Sequence, residues 1–461
     1  MQQSQTNPLA TGSIAKLLFR LAIPSITAQI INVLYNMVDR MFIGHIPKIG
    51  ATALTGVGIT FPIITLISAF SYLIGMGGAP LAAIEMGKGN EKYAEKIMGN
   101  CFSALVILSV LLTAFFIYFQ RPLLLFFGAS ENTLSYAMDY LSIYACGTIF
   151  VQIALGLNTF ITSQGFAKTS MSTVLIGAIL NIILDPILIF VFDMGVKGAA
   201  LATVFSQCVS AIWVLHFLMG HTTKLKLKKE NLKLQKALLL PILALGISPF
   251  IMQSTESILT ICLNTSLQKY GGDLAVGAMT ILTSVMQFSM LPIMGLTQGA
   301  QPITSFNYGA KQTQRVKKTV QILLISAFCY SFVLWLLIML FPALFVKIFT
   351  DSQELIPFTA WGLRIYMGIS CLMGLQIGCQ QSFIALGKAK VSTFLALLRK
   401  MILLIPFIYI LPLFFDDSVF AIFLAEPIAD AIAITTTIAL FAVQFKKILS
   451  ELSQNEKNTV L

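Results

Sequence analysis

The side chains in this sequence that could do chemistry are a handful of acids set in long apolar stretches: Asp39, Asp185, Glu256, Glu426 and Asp430, with Asp139 nearer a stretch end. An ionised group at the centre of a bilayer costs about 2.5–3.5 kcal/mol on insertion scales, so each acid needs a proton, a cation or a hydrogen-bonding network. Asn32, Asn36 and Asp39 are spaced by four and three, which puts them on one face of a helix. Asn181 and Asp185 are four apart and share a face too. Pro186 has no backbone donor, so the Ile182 carbonyl loses its usual partner beside Asp185. Two carboxylates with nearby amide and hydroxyl oxygens can hold Na+ or share one proton. The same residues would also serve a network that merely ties the first helix to the fifth, and spacing alone does not choose. Glu426 and Asp430 are four apart around Pro427, again on one face.

Other polar side chains in apolar surroundings fit a cavity: Gln152, Asn158, Gln253, Gln287, Gln376, Gln380 and Gln381. The 19 Met and 35 Phe could supply adaptable walls, although most must face lipid or core. Candidate cleft residues are Asn36, Gln29, Gln253, Glu256, Gln287 and Gln380. Enzyme signatures are missing: there is no H-E-x-x-H, P-loop or G-x-S-x-G pattern. The seven cysteines lie in apolar segments without metal-ligand spacing and read as small core residues. No cofactor is expected, and no metal beyond Na+ at the acidic cluster.

The elements that position these groups follow from composition. Of 461 residues, 57% are apolar and 11% charged, against about 25% charged in a soluble domain. Single water-soluble cores stop growing near 250–300 residues, so lipid must cover the rest. Apolar stretches long enough to cross about 30 Å of hydrocarbon predict helices over 15–43, 53–83, 94–119, 133–160, 170–192, 198–219, 237–265, 274–303, 316–339, 357–385, 392–413 and 419–445. The polar start carries no cleavable-signal pattern, so the first stretch is expected to stay as a helix. The Gly75–Gly78 run sits in such a stretch and reads as a packing site.

Orientation follows from charge. With both termini inside, 23 of the 30 Lys and Arg fall on the cytoplasmic side, Arg399 and Lys400 among them. Six are expected outside: Arg40, Lys48, Arg121, Lys197, Lys269 and Lys347. This bias also explains the net charge of +11. The basic residues are dispersed over seven loops and ends, which argues against a nucleic-acid partner.

The chain repeats itself. Gly77-Gly78-Ala79-Pro80 matches Gly299-Ala300-Gln301-Pro302, and Gly165 to Lys168 matches Gly387 to Lys390, both at an offset of 222. The fold class expected is an all-α integral membrane protein, with twelve transmembrane helices in two six-helix lobes. A pseudo-two-fold along the membrane normal should relate the lobes. Residues 1–220 would form one lobe, 221–236 a basic cytoplasmic linker and 237–461 the other lobe. Two lobes with a cleft between them suit alternating access.

Several stretches resemble one family. Tyr35 to Gly44 (Y-N-M-V-D-R-M-F-I-G) is similar to multidrug and toxic compound extrusion (MATE) exporters. So are Gly87 to Asn90, Asn181 to Phe190, Gly198 to Thr203 and Asn307 to Lys311. The likeness covers nearly the whole chain and sits nearest the bacterial MepA-like and DinF-like branches. It implies a V-shaped two-lobed fold and export of small lipophilic, often cationic compounds against inward H+ or Na+. In that family a cation site uses an Asp on the first helix, an Asn and an Asp on the fifth and a Thr on the sixth. Those positions match Asp39, Asn181, Asp185 and Thr203. A NorM-like branch has a second site, from a Glu on the seventh helix and an Asp on the tenth. Glu256 matches the first, but the tenth helix here has no acid. Glu256 is therefore expected to lack a partner and to serve the substrate or the lobe interface rather than the main coupling ion.

The function expected is multidrug or organic-cation export by H+- or Na+-coupled antiport, from a multi-pass monomer of the cytoplasmic membrane with both termini cytoplasmic. The alternatives are a lipid-linked sugar flippase of the same fold class and a membrane subunit of a larger complex. A flippase should line its cleft with Arg and Lys for pyrophosphate, and the sequence offers only Arg40 and Arg364 at or within helices.

Overall fold

The computed structural model describes residues 7–460. Residues 1–6 and 461, parts of the ends expected in the cytoplasm, lie outside the described residues, as does the side chain of Lys457. Among the described residues, nine helices are long and apolar enough to cross a bilayer. Two further spans are bent pairs: Glu131–Cys146 with Thr148–Ser163, at 58°, and Leu355–Tyr366 with Ser370–Ala385, at 51°. One of the nine, Lys236–Gly309, has 74 residues. Unbroken, it would run about 110 Å, several bilayer thicknesses. It breaks at Gly272, whose φ of 59° and ψ of −158° suit a residue without Cβ. The break makes two spans of it, and the total is twelve.

In chain order these are α1 (Ile14–Gly44), α2 (Gly50–Gly87), α3 (Glu91–Phe126), α4 (the first bent pair), α5 (Ala167–Pro186 with a π-helical extension, Ile187–Val191), α6 (Gly195–Met219), α7 and α8 (before and after Gly272), α9 (Thr313–Leu340), α10 (the second bent pair), α11 (Ala389–Leu413) and α12 (Ser418–Val460). Local signals set several boundaries. Asn90 caps α3 by accepting from the Tyr93 amide at 3.3 Å, and Ser130 with Thr133 forms a capping box on α4. The loosening expected at Pro186 is seen as the wide π turn that follows it.

Packing divides the chain into two units that differ from the expected lobes. One contains Met1–Ala22 and Ser254–Leu461, the other Ile23–Gln253. The basic segment 221–236 lies inside the second unit because buried polar side chains strap it down. Gln164 Oε1 accepts from the amides of Lys224 (2.8 Å) and Leu225 (2.9 Å) and from the Thr223 hydroxyl (2.9 Å). Glu95 accepts from the Lys226 amide at 3.1 Å and from Lys228 Nζ at 2.7 Å. The first half of α7 belongs to this unit as well: Gly246 lies against the Leu73 carbonyl and Gly77 against that of Ile242, with no room for a Cβ at either. That is the packing role expected of the glycine run. The unit's core gathers Ile43, Ile63, Phe116, Tyr140 and Ile189.

The other unit is built around Leu263, Leu282, Ile408 and Phe423. Its N-terminal piece is held by Asn307 Nδ2 and Arg315 Nη2, which both donate to the Leu9 carbonyl at 3.0 Å. Here one expectation fails. Arg399 and Lys400, expected among the cytoplasmic charges, lie inside α11 in a π-helical run, Leu398–Leu404. Their side chains are nearly buried and salt-bridged to Glu426, Asp430 and Glu256. The number expected on the cytoplasmic side drops to 21, which leaves the direction of the expected bias unchanged.

Candidate functional site

Three helices of the second unit bring the expected cation ligands together. The i, i+4 pair on α5 is linked by a hydrogen bond, Asn181 Nδ2 donating to Asp185 Oδ1 at 3.2 Å. The same amide reaches the Thr203 hydroxyl on α6 at 3.3 Å. Asp39 of α1 lies close enough to Asp185 for the two carboxyls to act on each other electrostatically. Asp39, Asn181 and Asp185 are all nine-tenths or more buried.

The network is incomplete in a specific way. Asp39 Oδ1, Asn181 Oδ1 and Asp185 Oδ2 are buried without a hydrogen-bond partner. Three unsatisfied oxygens on three neighbouring side chains would be costly in a finished structural network. They fit a small oxygen-binding cation or a shared proton, since two carboxyls in contact cannot both stay ionised without one. Hard oxygen donors suit Na+ and offer nothing to a soft metal. Among the described residues no three His, Cys, Asp or Glu side chains converge on a metal-sized site.

Asp39 also lines a cavity of about 490 Å³, within the size range of small-molecule pockets. Asn181 lines a smaller recess of about 40 Å³. Thr203, Tyr35 and Asn32 line both. Of the expected cleft residues, Asn36 and Gln253 line the larger cavity. Gln29 is partly buried on α1 and Gln287 is exposed on α8. Gln380 is buried, 4% exposed, on the second half of α10. Gln152 is fully buried and donates to the Ile67 carbonyl at 2.9 Å, a helix tie rather than a cavity group. Glu256 is not alone: Lys400 pairs with it, from α11 instead of the tenth helix.

Sequence reasoning missed most of the cavity wall. Tyr35, Tyr72, Tyr140 and Tyr144 line it, and the rings of the last two are parallel with centroids 6.2 Å apart. Such faces attract organic cations. Spacing held part of the signal: Tyr35 is four before Asp39, and Tyr140 and Tyr144 are four apart. Arg40 lines the cavity too, its guanidinium 4.7 Å from the centroid of the Phe61 ring.

The MatE family model matches residues 24–187 and again 249–410, which is the internal repeat. Multidrug export protein MepA of Staphylococcus haemolyticus is 24% identical over 435 residues, 94% of this chain and 95% of its own. MepA of Staphylococcus aureus is 26% identical over 416 residues, 89% of this chain and 90% of its own. Among solved structures, a complex of the MATE multidrug transporter DinF-BH has 34% identity and a TM-score of 0.86, covering 96% of this chain and 98% of that one. A MATE structure in a bent conformation reaches a TM-score of 0.91 at 21% identity, covering 98% and 99%. The twelve-helix, two-lobe arrangement fits that fold, and these relatives are named for export, not for catalysis.

Proposed function

We propose that this chain, which belongs to the MatE family, is a multidrug efflux transporter driven by antiport against H+ or Na+ at Asp39, Asn181, Asp185 and Thr203. The observation that carries the reading is the set of three buried, unpartnered oxygens on Asp39, Asn181 and Asp185, beside a cavity that Asp39 also lines. A lipophilic cation in the cavity is held by the Asp39 charge and the tyrosine faces. Neutralising the Asp39–Asp185 pair, by proton or Na+, removes that attraction. Ion and substrate thus favour different charge states of one site, which is the differential affinity that exchange requires. The segment 221–236 faces the cytoplasm, as the positive-inside bias directs. A flippase reading finds less support: among the described residues Arg40 is the only Lys or Arg lining the 490 Å³ cavity, and Arg399 and Lys400 are consumed by acids.

The test is efflux of a cationic dye from proteoliposomes with pH and Na+ gradients imposed separately. Wild-type protein should respond to one of them, and Asp39→Asn and Asp185→Asn to neither. Gradient-driven export by both variants at normal abundance would return the cluster to a structural role.

A further inference from the structure

The first unit contains a charged cluster that the antiport scheme leaves unused. The π-helical run in α11 widens the helix and presents Arg399 and Lys400 as neighbours; such turns are frequent at functional positions. Arg399 Nε donates to Asp430 Oδ1 at 2.6 Å, and its Nη2 to Glu426 Oε1 at 3.1 Å. Lys400 Nζ pairs with Glu256. The charged and titratable groups facing one another are Glu256 on α7, Tyr366 on α10, Arg399 and Lys400 on α11, and Glu426 and Asp430 on α12.

These charges do not balance. Three carboxyl groups meet two fixed cations, so full ionisation leaves one negative charge inside a membrane-spanning unit. The location of the excess is marked: Glu426 Oε2 is buried without a partner, while the other oxygen of the same carboxyl takes the guanidinium. Glu426 is only 3% exposed, whereas the Glu256 side chain is half exposed. An unpaired carboxylate oxygen in such surroundings is costly, and an O–H there removes both the charge and most of the desolvation penalty. One free oxygen is a poor site for Na+, which needs several ligands, and an adequate one for a proton.

We propose that this cluster is a second proton site, holding one exchangeable proton on Glu426 Oε2 that comes from and returns to water at Glu256. The proposal rests on the antiport reading, taken with H+ as the ion at Asp39 and Asp185, and sharpens it. With one proton carried in each half, two protons enter for each monovalent cation that leaves. One net positive charge then moves inward per cycle, so membrane potential alone can drive export. A single site would exchange one for one and feel no potential.

The experiment has two arms. In the first, Glu426→Gln copies the neutral carboxyl in shape, so its melting midpoint should stay within about 2 °C of wild type. The infrared carbonyl band of a protonated acid should be lost, and Asp430→Asn, which strips Arg399 of an ionised partner, should melt lower. In the second, proteoliposomes receive a potassium-diffusion potential without a pH gradient. Wild type should export a monovalent dye cation, and Glu426→Gln should lose this response while a pH gradient still drives it. Failure of Glu426→Gln to fold, survival of the infrared band, or an unchanged response to potential would each overturn the proposal. Asp39→Asn separates the two readings: coupled export by that variant defeats the site on α1 and α5 whatever Glu426→Gln does.

Discussion

Replacing Asp39 by Asn removes one charge and changes almost nothing else. The amide is isosteric with the carboxyl, and its nitrogen can donate to Asp185, whose Oδ2 lacks a partner. Asp39→Asn therefore imitates the protonated pair, and its thermal stability should equal or exceed that of wild type. The lost attraction for a cation in the cavity can be bounded. At 4 Å a unit pair is worth about 1 kcal/mol in bulk water and about 4 kcal/mol at the effective dielectric of a protein surface. The Asp39 side chain faces a roomy, partly polar space, so about 2 kcal/mol is the working value, or roughly thirtyfold in affinity. A neutral compound of similar shape should lose nothing. The assay is fluorescence anisotropy of a monovalent dye cation and of a neutral dye on purified protein, across pH. Wild-type affinity for the cation should fall as the medium is acidified, while the variant starts weak and stays flat. Equal cation affinity in both proteins, with the same pH dependence, would refute the argument that Asp39 holds the substrate charge.

Three further outcomes follow from the structure. Single cysteines at Lys229 and Asp416, in an otherwise cysteine-free protein, should be labelled from opposite sides of the membrane; these exposed positions avoid Lys228, which bonds Glu95, and Asp417, which caps α12. Gly246→Val should lower stability by about 3 kcal/mol, read as a reduced melting temperature, because α7 meets the α2 backbone there without space for a side chain. The hydrogen bond to Glu95 raises Lys228 above the usual lysine range. Its hold on the strap is thus fully present below about pH 10.4 and is lost only as pH rises beyond that. Limited proteolysis of 221–235 should therefore be unchanged from pH 7 to 9, and Glu95→Ala should accelerate it throughout.

The spans were legible because length and hydropathy are one-dimensional quantities, and an apolar run of twenty residues has few other uses. Direction is not one-dimensional. Nothing in the composition around Gly147 or Met367 distinguishes a straight span from one bent by 58° or 51°. In the site, Asn181 and Asp185 declared themselves by spacing, whereas Thr203 is one hydroxyl among many and was reached only through the family resemblance. The tyrosine wall was hidden by abundance, since aromatic residues occur along every helix. Arg399 and Lys400 were misplaced by proximity to Lys388 and Lys390. Nine residues of helix from Lys390 rise about 13 Å, nearly half the hydrocarbon thickness, so a charge near a loop in sequence can be deep in the span. The partner of Glu256 was missed for a related reason: the search followed the helix that carries it in relatives.

The repeat makes the two halves comparable, and the comparison bears on why they differ. The first half places its polar cluster on α1, α5 and α6, and the second places its own on α7, α11 and α12, the same positions in the repeat. Where α5 offers Asn181 and Asp185, α11 offers Arg399 and Lys400. The first cluster is therefore oxygen-rich and short of positive charge, with three open acceptors and a cavity alongside. The second brings its own cations on side chains that cannot leave, and among the described residues only one of its buried acceptors, Glu426 Oε2, stays open. A mobile cation of any size has something to gain in the first half. The proton proposed for Glu426 Oε2 suits the second, whose acids each already hold a tethered cation on one oxygen.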